Sequence, residues 1–368
     1  MSVSTINPSL TEEYLRHGAE GKFLERKSRD TKHSKLADEL IGMLNAGGGV
    51  LVYGIADSGE VESLLETSLF RDQAVDLDQY RKIVHDYIKP PANIELEEVY
   101  LANGELVFIY HVEPAFEGVY QRHDNENIFL RVADSNKGPL MREQVTKLEY
   151  NRGMRQFEEE ERVDFNVEDL DDSLCNEYIK VMNVEMSFAE LAYKRNLAVK
   201  RNGEILFKNA AILLFAVDPD RYIRDARVRY LRYEGMEQRS GSDFNVVKDH
   251  SFEGPILKLI GEISTFMEAS LRDYYYLDRE SGKFIRIPEF PKDAWLEGIV
   301  NALYHRSYNV QGSPIMLKHF DDRIEISNSG PLPAQVTVEN IKNEKFTRNV
   351  RLARTLNDFG YVRALNEG

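Results

Sequence analysis

Glu297 and Asn301 stand one helical repeat apart in the run WLEGIVNALYHRSY at 295–308. In a helix that spacing puts both side chains on one face, one above the other. A carboxylate and an amide stacked this way offer hard oxygen ligands to a divalent cation such as Mg²⁺ that carries substrate phosphates. The carboxylate can also orient a water toward a phosphoryl group. Further on, the polar strand and turn at 322–333 delivers Asn328-Ser329-Gly330. A short polar side chain at a strand end, with a glycine two residues later, lets an adenine edge approach closely. The two segments read together as half of a nucleotide pocket.

A second set of chemistry-bearing residues lies near the start. Glu20 and Glu25 sit among Lys22, Arg26, Lys27, Arg29, Lys32 and Lys35, a basic segment with few compensating acids. Such a segment suits phosphate contacts along a nucleic acid, with the glutamates in structural ion pairs. It can equally be a solvated face of mixed charge. None of the histidines shows ligand spacing, and His305 beside the nucleotide motif reads as a packing or capping residue.

The elements that must position these residues fall into three regions, 1–150, 151–200 and 201–368. In the first, 35–45 has helical periodicity and stops at Gly47-Gly48-Gly49, followed by a strand at 50–55 and a turn at Asp57-Ser58-Gly59. A helix at 77–88 and strands at 94–101, 106–112 and 128–132 follow, with Asn103-Gly104 as a hairpin turn. The middle region, with EEEER and EDLDD, reads as a charged linker flanked by helices. The last region holds a buried helix at 209–216, a strand at 228–233 and an amphipathic helix at 252–271. After the helix of Glu297 and Asn301 come a strand pair near 315–317 and 324–327 and a helix at 350–359 capped by Gly360. The fold class is α/β in the broad α+β sense.

At 368 residues the chain has room for two or three domains. It lacks any apolar run near the roughly eighteen residues that a membrane span needs, and its first residues carry no secretory pattern. A cytoplasmic protein with no membrane partner is expected. The single cysteine, Cys175, excludes an internal disulfide framework and a multi-cysteine zinc site. The net charge of −15 argues against indiscriminate polyanion binding while leaving room for a local basic patch.

The segments WLEGIVNALYHRSY, SPIMLKHFDDRIEISNSGPLP and FTRNVRLARTLNDFGYV resemble, in order and spacing, the degenerate gyrase/MutL/histidine-kinase-type ATP-binding domain of bacterial regulators of RecG-like type. The resemblance spans residues 200–368 and implies an ATP- and Mg²⁺-binding α/β sandwich. It makes Glu297 the water-orienting carboxylate and Asn301 the Mg²⁺ ligand. Asn328 stands where better-known members carry an adenine-reading aspartate, Gly330 matches the first motif glycine, and Leu332 replaces a second. Arg348 and Asn349 would contact phosphates from a lid. Most of the family continues with a glycine-rich phosphate segment and a winged helix, so the resemblance implies a domain cut short at Gly368 that binds nucleotide more readily than it turns it over.

Residues 12–145 are similar to a Schlafen-type AlbA-like domain, whose pattern is E-x4-EFK, a helix ending in Asn-x-x-Gly-Gly, and a strand ending in Gly-Val-Asp-Asp-x-Gly. Here these are Glu20 with Glu25-Arg26-Lys27, Asn45 with Gly48-Gly49, and GIADSG, where Ala56 replaces the first aspartate; Phe129-Leu130-Arg131-Val132 falls near the end. In the nuclease branch of that family, carboxylates at the positions of Glu20, Glu25 and Asp57 hold a Mg²⁺ or Mn²⁺ that activates water on a phosphodiester. The leading expectation is an ATP-sensing, nucleic-acid-binding regulator acting as a homodimer, DNA its target before RNA, with Lys22, Arg26, Lys27, Lys32 and Lys35 on the phosphates. The alternatives are a metal-dependent endonuclease or endoribonuclease of the phage-defence kind, and an interaction scaffold with inactive sites.

Overall fold

The computed structural model describes residues 10–66, 77–116, 118–332, 336, 340–341, 343 and 346–362. They form two compact units, the first within Met1–Arg155 and Leu332–Asn340 and the second within Gln156–Pro331 and Ile341–Gly368. Helices and mixed sheets alternate in both, the α/β class expected.

The first unit runs α1 (Glu12–His17), β1 (Leu24–Lys27), α2 (His33–Leu44), β2 (Gly49–Tyr53), α3 (Leu77–Tyr87), β3 (Ile88–Lys89), β4 (Ile94–Tyr100), β5 (Leu106–Val112), β6 (Gln121–Arg122), β7 (Leu130–Val132), β8 (Ser135–Lys137) and α4 (Arg142–Asn151). Its main sheet has the order β1-β2-β5-β4, parallel between β1 and β2 and antiparallel elsewhere. Period-two alternation divides the buried residues between its faces. Leu51, Tyr53, Phe108 and Tyr110 pack against Leu36, Leu40 and Leu44 of α2, while Val50, Val52, Val107 and Ile109 meet Leu15 and Leu24 on the other side.

Two of the three glycines after α2 are required by close backbone approach. Gly48 (φ +86°) would place a Cβ 2.5 Å from the Val112 carbonyl, and Gly49 (φ +145°) one 2.9 Å from the Phe23 carbonyl. Asn45, at the end of α2, is almost fully buried. Its amide donates to the carbonyls of Tyr120 (2.7 Å) and Phe129 (2.8 Å) and its oxygen accepts from the Tyr120 N–H (2.9 Å). Asn45→Ala would orphan three buried backbone groups, so we expect a loss of about 2–3 kcal/mol. An unshifted urea midpoint for this variant would show that the bridge contributes nothing.

The second unit runs α5 (Asp172–Val181), α6 (Phe188–Lys194), β9 (Ala198–Arg201), β10 (Glu204–Phe207), α7 (Asn209–Phe215), β11 (Val228–Tyr233), β12 (Val246–Phe252), α8 (Ile256–Ser270), β13 (Asp273–Leu277), β14 (Phe284–Pro288), α9 (Lys292–His305), β15 (Ile315–His319), β16 (Ile324–Ser327) and α10 (Val350–Asp358). Its main sheet is β12-β11-β15-β16, with β11 and β15 parallel. One face carries the larger core, where Val228, Tyr230, Ile315 and Leu317 meet α7, α8 and α9.

Residues from Gln156 to 200 do not behave as the solvated connector their charge suggested. Phe165, Leu170, Leu174, Tyr178, Phe188 and Leu191 enter the second unit's core. Glu158, inside the acidic run, is wholly buried because its carboxylate accepts from the Arg351 and Leu352 N–H groups at the start of α10. A helix N-terminus, with its free N–H groups and positive dipole end, can hold a carboxylate away from water. The helix expected at 252–271 begins later, at Ile256, because Phe252 still belongs to β12 and Gly254-Pro255 separates the two.

Candidate functional site

Helix α9 buries Trp295, Ile299 and Leu303 in the core and turns a polar row outward. Asp293, Glu297 and Asn301 follow at four-residue steps, so they share one face. They line a cleft of 630 Å³ with Leu296, Val300, Tyr304 and the segment Gly360, Tyr361 and Val362. Asn301 accepts a hydrogen bond from the Tyr304 hydroxyl (2.9 Å). Burial, and then the charge of Glu297, raise the Tyr304 pKa, which keeps the phenol protonated and donating.

The cleft's described lining contains two carboxylates and no lysine, arginine or histidine. A phosphate entering it alone would meet like charge, so an accompanying cation is needed. The donor set, one or two carboxylates and one amide oxygen, suits Mg²⁺, which takes few protein ligands and completes its shell with water and phosphate oxygens. Glu297 and Asn301 are the residues that would hold it.

The other nucleotide residues expected from the sequence surround the far end of α9. Asn328 is exposed and donates to the Ala302 carbonyl (3.1 Å), and it does not line the cleft. Gly330 (φ +109°) lies so close to Ser307 that a Cβ would sit 2.1 Å from its hydroxyl oxygen. Arg348 donates to the Pro331 carbonyl (2.7 Å). Asn349 is buried and its amide bonds the Tyr304 and Arg306 carbonyls (2.8 Å each), closing the last turn of α9. The structure thus brings Glu297 and Asn301 together in the cleft and places Asn328, Arg348 and Asn349 on backbone carbonyls, and Gly330 against the Ser307 side chain, beyond it. His305 has its pKa lowered by burial and by nearby Arg348, in keeping with a packed residue. Asp293 and Tyr304 escaped the sequence reading, although their offsets of four and three residues from Glu297 and Asn301 were the available signal.

In the first unit, β1 sends Glu25 to the α2 side of the sheet, where it pairs in register with Leu51. There it is nearly buried, bonded to Lys27 and 2.5 Å from the fully buried Arg131 side chain. Buried Glu39 of α2 joins the same cluster, 3.3 Å from Lys35, 3.8 Å from Lys27 and 3.9 Å from Arg131. Arg131 also donates to the carbonyls of Gly21 (2.7 Å) and Leu24 (3.2 Å). Glu39 and Arg131 are partners that spacing alone could not supply.

Arg26 points the other way and is locked on the carbonyls of Leu15 (2.7 Å) and Gly18 (2.5 Å), so it braces α1. Glu20 accepts from the Arg26 N–H (2.9 Å). Asp57 is exposed in the turn after β2. Among the described residues no three histidine, cysteine, aspartate or glutamate side chains gather as a metal-holding group, so Glu20, Glu25 and Asp57 are not brought together. Of the five expected phosphate-binding cations, Lys22, Lys32 and Lys35 are exposed, Lys27 is half-buried in the ion cluster and Arg26 is internal. No helix among the described residues is long and apolar enough to cross a membrane.

A two-unit α/β protein with an anionic cleft in one unit and exposed lysines over a buried ion cluster in the other is the class defined so far. Residues 20–140 match the family described as "Schlafen, AlbA_2", and residues 312–368 match "Putative ATP-dependent DNA helicase recG C-terminal". The chain combines a Schlafen AlbA_2 domain with a RecG-like, ATPase-type C-terminal domain, the pairing of a nucleic-acid-related, ATP-binding type of protein. The first match contains every candidate residue of the first unit, whereas the second begins after α9. The crystal structure of the DIP2311 protein from Corynebacterium diphtheriae is similar at 20% identity over 93% of this chain and 68% of that one, with a TM-score of 0.44. No curated protein matches.

Proposed function

We propose that this protein is a regulator that binds nucleic acid, DNA before RNA, through the first unit and senses Mg²⁺-ATP through the second, working as a homodimer in the cytoplasm. The observation that carries the reading is the cleft on α9, where Glu297 and Asn301 meet without a cation in the described lining. Lys22, Lys32 and Lys35 supply the exposed positive charge for phosphate contact. The rival reading, a metal-dependent nuclease using Glu20, Glu25 and Asp57 with Mg²⁺ or Mn²⁺, draws less support, because Glu25 is already held by Lys27 and Arg131.

Calorimetry with a non-hydrolysable ATP analogue tests the cleft. Heat should appear with Mg²⁺ and vanish with chelator, and Asn301→Ala should weaken binding at least about tenfold. Equal binding with and without Mg²⁺, or no binding at all, would sink the reading. Fluorescence anisotropy on short DNA and RNA duplexes, with and without the analogue, measures the coupling between the two activities.

A further inference from the structure

Among the described residues, strands β13 and β14 pair only with each other, Tyr274 opposite Ile287 and Tyr276 opposite Ile285. Every residue of this ribbon is exposed. One face is entirely apolar: Tyr274, Tyr276, Ile285 and Ile287, each 47–55% exposed. The other carries Tyr275, Leu277 and Phe284 at 45–70% exposure beside the Asp273–Arg286 ion pair (2.7 Å). A lone two-stranded hairpin is marginal in water, and a contiguous apolar patch of this size marks a contact surface.

We infer that the β13–β14 hairpin is the surface through which two copies of this chain associate, β13 running antiparallel to β13 of the second copy. Three observations select a second copy over other partners. The segment 272–289 holds four cations and four anions in a chain of net charge −15, so like-charged copies can meet there without the repulsion felt elsewhere. With aromatics burying about 150–250 Å² each, the four half-exposed side chains of the apolar face present on the order of 400 Å², about half of the roughly 800 Å² per partner of a standard interface, which suits a weak, concentration-dependent self-association. The outer edge of β13 has no strand partner among the described residues and is free of proline, and a two-fold axis would close that edge on itself. A nucleic acid would find no net positive charge on the ribbon.

The inference rests on the homodimer part of the proposed function and is independent of the nucleotide part. Sedimentation velocity of the full chain over about 1–100 µM should show a dimer. The double variant Tyr276→Glu, Ile285→Lys should weaken it at least about 30-fold with unchanged circular dichroism, since both sites are exposed. Tyr275→Cys should form a disulfide-linked dimer on mild oxidation, against a background in which native Cys175 is buried. A dimer of unaltered strength in the double variant would overturn this surface while leaving dimerisation intact. A monomeric wild type would overturn both, and loss of DNA binding by the variant in a monomeric protein would reassign the ribbon to nucleic acid; calorimetry still reads the nucleotide site in each case.

Discussion

Glu25→Ala is expected to lower the stability of the first unit by about 3 kcal/mol, because it removes the hydrogen-bonded carboxylate of the buried Arg131 guanidinium and leaves it only Glu39, 3.9 Å away. The neutral isostere Glu25→Gln keeps an acceptor near Arg131 and should cost less. Urea unfolding of both variants, followed by circular dichroism, measures the difference; a midpoint for Glu25→Ala equal to that of the wild type would show that the cluster carries no net stability. The result bears directly on any nuclease assay. Activity lost in Glu25→Ala would follow from unfolding as readily as from chemistry, whereas Asp57, exposed in its turn, can be changed to asparagine without disturbing the core.

The second large effect is a pH dependence seated at Glu158. Burial pushes its pKa from 4.5 up to about 7, against the opposing pull of the Arg351 and Leu352 N–H groups. The folded state therefore holds the proton more tightly than the unfolded chain. The stability this confers is complete below pH 4.5, declines as pH rises through about 7 and is level above. A shift of this size corresponds to roughly 3 kcal/mol across that window. Glu158→Gln removes the titration, so the stability difference between wild type and variant should change with pH in that direction. Parallel profiles for the two proteins would refute it.

How far the sequence disclosed this molecule depended on how local each feature was. The turn Asn45 to Gly49 was legible because its demands are met within a few residues: a helix end, positive φ, and a backbone too close for a side chain. Helix α9 was legible for the same reason, since four-residue spacing alone puts Glu297 beside Asn301. Glu158 was read as solvated because composition cannot show that its partners lie near residue 351. Arg26 and Lys27 looked alike as cations, yet strand alternation sends one to the carbonyls of Leu15 and Gly18 and the other to Glu25. The hairpin of β13 and β14, DYYYL and FIRIP, carries apolar residues on both faces, which in a sequence is the mark of a buried strand, yet in the fold every one of its residues meets water.

The cleft on α9 has one further consequence. With Asp293 and Glu297 at its mouth and no cation in its described lining, neither of its two expected occupants is well held alone. The metal lacks enough protein ligands, and the nucleotide lacks a counter-charge. Under the proposed function such a site would work as a coincidence detector: its occupancy would follow the product of the two concentrations, and a fall in free magnesium would silence it as effectively as a fall in ATP.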